Sequence, residues 1–196
     1  MKKVIAIVLI LLTGCASYTP VSLPQRDVTI LGQYQEIDKV YAGIKFLDRA
    51  EVKRYFDADL IEKGIQPIYV TIENNSNKMY SFSKTNVGIP SLDSVEASKK
   101  GERNTLARVG VPGVISLFVL WPLAILAVGD GIASSKANKH LRADYESKEI
   151  ADGSIRPMQS KYGVLYAPVL KSGEEINITL IEMEAKEKIV FRFTKE

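Results

Sequence analysis

The sequence predicts a mainly β chain with an α insertion: a small β-sandwich, immunoglobulin-like in the loose sense, interrupted by a hydrophobic helical insertion. Three observations predict it. Short runs on both sides of the chain's middle alternate apolar with polar residues, as half-buried strands require. Polar turn residues separate those runs. Between the two groups of strands lie helical periodicities around 109–129, a stretch of 21 residues without a charge.

In chain order, Val40 to Leu47 reads as an early strand. Arg49 to Ile61 places Val52, Tyr55, Phe56 and Leu60 at helical spacing, with Gly64 as terminator. Ile65 to Glu73 alternates, with Ile68, Val70 and Ile72 on one face and Tyr69, Thr71 and Glu73 on the other. Asn74 to Asn77 is turn chemistry, because Asn tolerates left-handed backbone and closes local hydrogen bonds. Tyr80 and Phe82 follow in phase, so 65–83 is expected to be a hairpin, with Val87 to Pro90 a short edge piece. Asp93 opens a helix reaching about Ala107, through a capping box in which Glu96 is the partner. A second helix, from Ile132 to about Ile150, carries a narrow stripe of Ile132, Ala133, Ala137, Leu141 and Tyr145. Tyr162 to Pro168, Ile176 to Leu180 and Ile189 to Phe193 complete the strands, linked by turns at Lys171 to Glu174 and Glu182 to Glu187.

The run 109–129 is a transmembrane candidate on hydropathy alone. Pro112 and Pro122 fall inside it. Val114 to Val128 leaves only about 22 Å of helix, at ~1.5 Å per residue, against a hydrocarbon core of about 30 Å. Basic residues flank it almost evenly, so no orientation follows. Neither group of strands is large enough to be stable alone, and strands pair only in one compartment. Residues 93–150 are therefore expected to be an insertion whose apolar centre is re-entrant, interfacial or packed against protein. The competing arrangement is a single crossing of the inner membrane. The expected boundaries are 26–92 and 151–196 for the two parts of the β-sandwich.

At the N-terminus, Lys2 and Lys3 precede an uncharged apolar stretch, Val4 to Leu12, too short to span a membrane and built like a secretory signal. Leu12-Thr13-Gly14-Cys15 resembles the lipobox of bacterial lipoproteins. That resemblance implies a cleaved signal peptide over 1–14, diacylation of Cys15 on sulfur and acylation of the new amino terminus, with 15–25 as a lipidated tether expected to lack structure. Ala16, where inner-membrane retention uses Asp, implies sorting to the outer membrane, facing the periplasm. Several acyl chains anchor stably where one is marginal. A second stretch, Tyr55 to Asn74, resembles bacterial envelope lipoproteins of uncharacterised role that share an L…G-I-Q-P-(I/V)…N signature; no activity comes with it.

Composition excludes much else. The chain is 46% hydrophobic and 25% charged, with a formal charge of +3. That charge is too small and too evenly spread for a nucleic-acid binder. One cysteine excludes an intrachain disulfide and any zinc site needing two, and one histidine excludes a multi-histidine metal centre. No phosphate-binding loop or dinucleotide fingerprint occurs. His140 lies near Lys139 and Arg142 and has no placed nucleophile to serve. Asp57 with Asp59, and Glu182 with Glu184, fall where turns or helix faces are expected. Gly129-Asp130-Gly131 lacks EF-hand spacing and reads as a helix break. No catalytic residue, metal or cofactor is expected.

The expected sites are those of attachment. Cys15 carries the lipid. Val114, Leu117, Phe118, Trp121 and Ile125 face a membrane or a protein partner, a second copy of the chain included. Lys99, Lys100, Arg103 and Arg108 face headgroups, each adding about 1 kcal/mol at an anionic surface. The expected role is a lipid-anchored, non-enzymatic envelope lipoprotein active in binding or assembly. The alternative is a component of a membrane transport or secretion assembly, with 109–129 inserted beside partner helices. An envelope hydrolase is the third reading.

Overall fold

Eight strands form two antiparallel sheets, described in a computed structural model for residues 21–102 and 138–196. The strands are β1 (Gln33–Ile37), β2 (Val40–Phe46), β3 (Ile65–Asn74), β4 (Tyr80–Val87), β5 (Gly153–Ile155), β6 (Gln159–Pro168), β7 (Glu175–Glu182) and β8 (Lys188–Thr194). Their order is β1-β2-β3-β6 in one sheet and β5-β4-β7-β8 in the other. All of them belong to one unit, Pro20–Gly101 with Arg142–Glu196. The signal region, Cys15, Arg103, Arg108, the whole run 109–129 with its contact residues, Gly129 to Gly131, and Ile132, Ala133 and Ala137 lie outside the described residues.

The alternation in β3 places Ile68, Val70 and Ile72 in the core as expected. They meet Tyr80, Phe82, Ile178, Leu180, Phe191 and Phe193 from the opposite sheet. Each such side chain contributes about 1.5–3 kcal/mol when fully removed from water, and this shared interior joins strands from both ends of the chain. β3 pairs with β6 over its whole length, and β4 pairs with β7.

Four expectations are corrected. First, β3 and β4 are not a hairpin: they lie in different sheets, and the Asn74–Asn77 turn carries the chain from one layer to the other. Lys171–Glu174 does the same between β6 and β7, so in the C-terminal part only β7 and β8 form a hairpin. Second, β3 is buried on both faces, including Tyr69 and Thr71. Part of the cover is the segment 24–28, which lies along β3: Tyr69 Oη donates to Pro24 O (2.9 Å), Arg26 N donates to Tyr69 Oη (3.1 Å) and Val28 N donates to Glu73 (3.2 Å). Third, helix α1 (Arg49–Phe56) stops well short of Ile61, because Asp57 turns left-handed at φ 50° and its N–H closes on Lys53 O. Leu60 is still fully buried in the following turn. Fourth, Gln33–Ile37 and Gly153–Ile155 are strands that alternation did not reveal.

Helix α2 (Ser94–Gly101) starts where Asp93 caps it, accepting from Glu96 N at 2.6 Å. A third helix, α3, is described over 138–148. Helix α1 has a complete capping box between Asp48 and Glu51, and Glu51 also takes Lys45 Nζ at 2.7 Å and Arg26 at 3.1 Å. Burial works against ionisation of Glu51, but these hydrogen bonds hold its pKa below the usual value of 4.5. Glu182 is also held low, chiefly by the Glu184 N–H, with the Ala185 N–H adding to it, as it closes the β7–β8 turn. A carboxylate with a depressed folded-state pKa stabilises above its unfolded pKa and stops doing so as pH falls through the folded value. Stability is therefore expected to fall as pH drops below about 4.5. Glu51→Gln should be less stable than wild type at pH 7 but lose less on acidification, measured as denaturant midpoint against pH. Equal acid sensitivity in the two chains would refute the assignment.

Candidate functional site

The residues with chemistry in the sequence do not converge on a reaction centre. Asp59 binds Arg49 (3.1 Å) and Lys53 (3.3 Å) and caps the turn at Glu62 N, while Asp57 ends α1. Glu182 is nearly fully buried and serves the β7–β8 turn. His140 is exposed on α3. Among the described residues, no group of three or more His, Cys, Asp or Glu side chains is placed to hold a metal ion. Among the same residues, no helix is long and apolar enough to cross a membrane.

What the structure does bring together is the two ends of the helical insertion, at the outer edge of β6. Leu92 N donates to Tyr166 O (2.7 Å) just before α2, and Ile150 N donates to Val164 O (3.0 Å) just after α3. The two stems thus leave and return two residues apart on one strand, about 7 Å at ~3.3 Å per residue. Gly163 permits this: a β-carbon there would lie 2.6 Å from Ile150 N and 2.7 Å from its Cα. The end of α2 touches α3 as well, since a β-carbon on Gly101 would meet Tyr145 Oη at 2.5 Å.

An aromatic cluster backs the stems. Phe56 of α1 packs edge-on to Tyr145 (5.0 Å) and Tyr166 (5.8 Å), and Tyr166 Oη donates to Tyr145 O (3.0 Å). Burial pushes the Tyr145 phenol far above its ordinary value, so it stays neutral and donates to Phe56 O. Lys148 is buried here, paired with Asp144 and the Tyr55 carbonyl, its Nζ 5.3 Å from the Phe56 ring centroid. Burial lowers its pKa and Asp144 opposes the shift.

The N-terminal segment joins the domain close by. Tyr69, which receives Arg26 and holds Pro24, is the register partner of Val164. The segment around Pro24 and the insertion stem therefore meet adjacent strands, which lie about 4.8 Å apart. Arg26 fixes this segment by bonding Glu51 and Tyr55 and by stacking over the Tyr69 ring at 5.5 Å.

Of the expected headgroup cations, Lys99 and Lys100 are exposed in the last turn of α2, beside exposed Val95 one turn earlier. Cations there also suit the helix dipole. Of the residues that build this arrangement, Gly163 and Arg26 were not singled out by the sequence, and Tyr69 was read only as an outward residue of its strand. Gly163 carried a signal, since glycine inside an alternating strand marks a close backbone approach. No family model, no curated protein and no solved structure matches this chain.

Proposed function

We propose that this chain is a lipid-anchored envelope lipoprotein, acylated at Cys15 and facing the periplasm from the outer membrane, with a non-enzymatic binding or assembly role. Its globular part is an immunoglobulin-like sandwich, a reading supported by strand order. β2-β3-β6 opposed to β5-β4-β7-β8 follows the succession A-B-E and C′-C-F-G of that architecture, with β1 added at one edge and the insertion between the C-like and C′-like strands.

The observation that carries the proposal is the shared root of the tether and the insertion at β3 and β6. The N-terminal segment and the two ends of the insertion thus join neighbouring strands, which supports attachment from one side of the domain. Because β3 pairs with β6 and β4 with β7, the chain before and after the insertion occupies one compartment, which calls for no crossing or two. One helical span needs about 20 apolar residues, and 109–129 is long enough for one at most. An interfacial or re-entrant segment satisfies both conditions, with Lys99 and Lys100 at the headgroups.

The test joins acylation to topology. A clickable fatty acid should label the wild-type chain and leave Cys15→Ser unlabelled, and the mature amino terminus should be Cys15. Cysteines placed by Asn75→Cys and Lys186→Cys, both exposed, should react from the same side of the membrane. Labelling from opposite sides would favour the single-crossing arrangement and sink this one. Acyl label retained in Cys15→Ser would remove the lipoprotein reading.

A further inference from the structure

The edge of β8 is occupied, but not by a strand. Gln33 and Gln35 project from β1 of the other sheet and pair with β8 main chain through their side-chain amides. Gln33 Nε2 donates to Thr194 O (2.6 Å) and its Oε1 accepts from Thr194 N (3.2 Å). Gln35 does the same at Arg192, with Oε1 accepting at 3.1 Å. A primary amide has a carbonyl acceptor and two N–H donors; its carbonyl and the N–H on the same side meet the outward N–H and C=O of one β8 residue together, so each glutamine replaces one rung of a missing neighbouring strand.

Ladder geometry alternates, so the groups that face away from β7 in β8 are those of residues 188, 190, 192 and 194. The two glutamines cover one half of that row. The strand itself, Lys188-Ile-Val-Phe-Arg-Phe-Thr194, is seven residues of high β-propensity without proline, with Lys188 and Arg192 its only charges, and such a strand can pair when its edge is open. Paired antiparallel with itself about Phe191, it sets Lys188 against Thr194 and Val190 against Arg192, with no like charges directly opposed.

We propose that Gln33 and Gln35 form a clasp that keeps β8 from pairing with β8 of a second copy of this chain, and that releasing the clasp creates a two-fold dimer through that edge. The clasp is the reason β1 carries glutamine at two inward positions, where an ordinary sandwich strand would carry apolar residues. This inference is independent of the lipid anchor.

The experiment uses the full chain in density-matched detergent, comparing wild type with Gln33→Ala/Gln35→Ala. At low concentration, amide exchange at Arg192 and Thr194 should quicken about tenfold or more in the variant, while Phe191 and Phe193, bonded to β7, keep their protection. At high concentration, sedimentation equilibrium should show the variant one association step above wild type. Adding Val190→Pro removes an outward N–H without taking a bond from β7, and should return the variant to the wild-type state. Unchanged exchange at 192 and 194 would show that the clasp does not hold. Faster exchange without association, or association that Val190→Pro leaves intact, would overturn the gating of β8.

Discussion

Gly163→Ala should destabilise the domain by about 2–3 kcal/mol, the upper part of the ~1–3 kcal/mol range for forcing a methyl group into a packed site, and should free the insertion stem from the sheet. The added carbon would meet backbone atoms, Ile150 N and Cα and Glu149 C, none of which is the flexible end of a side chain. Relief requires residues 149–150 to move away from β6, which breaks the bond from Ile150 N to Val164 O. The readouts are the denaturant midpoint and the rate of proteolysis within 138–148, both of which should change together. Gly173→Ala is the control. Its φ is +86° but nothing lies within 4 Å of its β-carbon position, so only backbone strain of about 1 kcal/mol is expected. Equal losses at the two glycines would mean that the β6 edge is not a tight junction. A stable Gly163→Ala would also show that residues 149–150 do not pack tightly on β6.

Asn74→Ala is expected to cost about 3 kcal/mol, enough to lower the melting temperature by about 10 °C in a domain of this size. Asn74 is fully buried, and its side chain makes four hydrogen bonds. Nδ2 donates to Lys78 O (2.7 Å) and Ile155 O (3.1 Å), and Oδ1 accepts from Ser76 N (3.1 Å) and Ser76 Oγ (2.6 Å). Its own carbonyl accepts from Met158 N (2.7 Å). One residue thus ties the sheet-to-sheet crossing to β5 and to the turn before β6. Truncation strands several buried polar groups at once, and leaving a buried group unpaired costs more than the bond itself contributed. Asn74→Asp should be at least as damaging, since a carboxylate cannot donate to the two carbonyls. Thermal unfolding of the two variants measures this, and a loss under 1 kcal/mol in both would show that water replaces the amide.

Much of this arrangement was written in the apolar pattern. The core faces of β3, β7 and β8 follow from alternation because one side of each strand must leave water, and a one-residue slip would reverse every side chain. Likewise the Asp93 cap and the buried face of α1 follow from local chemistry. The edge strand β1 did not show itself, for two physical reasons. Two of its three inward positions are glutamines that bond β8 backbone, leaving Ile37 as the lone apolar one, too little for an apolar alternation. Its turn to β2, Asp38-Lys39, takes φ of 52° and 63° without the glycine that normally announces such a turn. β5 has three residues, too few for any period.

The sequence by itself determined which residues leave water, where the chain turns and which segment carries the uncharged apolar run. Those properties are set by neighbours a few positions away, where side-chain period and turn chemistry act. Only the tertiary structure decided that the Asn74 turn changes sheets instead of closing a hairpin, that residues 24–28 lie along β3, and that the two stems of the insertion meet β6 at Tyr166 and Val164. Each of these depends on which distant surface is available to bury a face or complete a hydrogen bond. Local sequence carries no record of that partner until the chain has closed around its core.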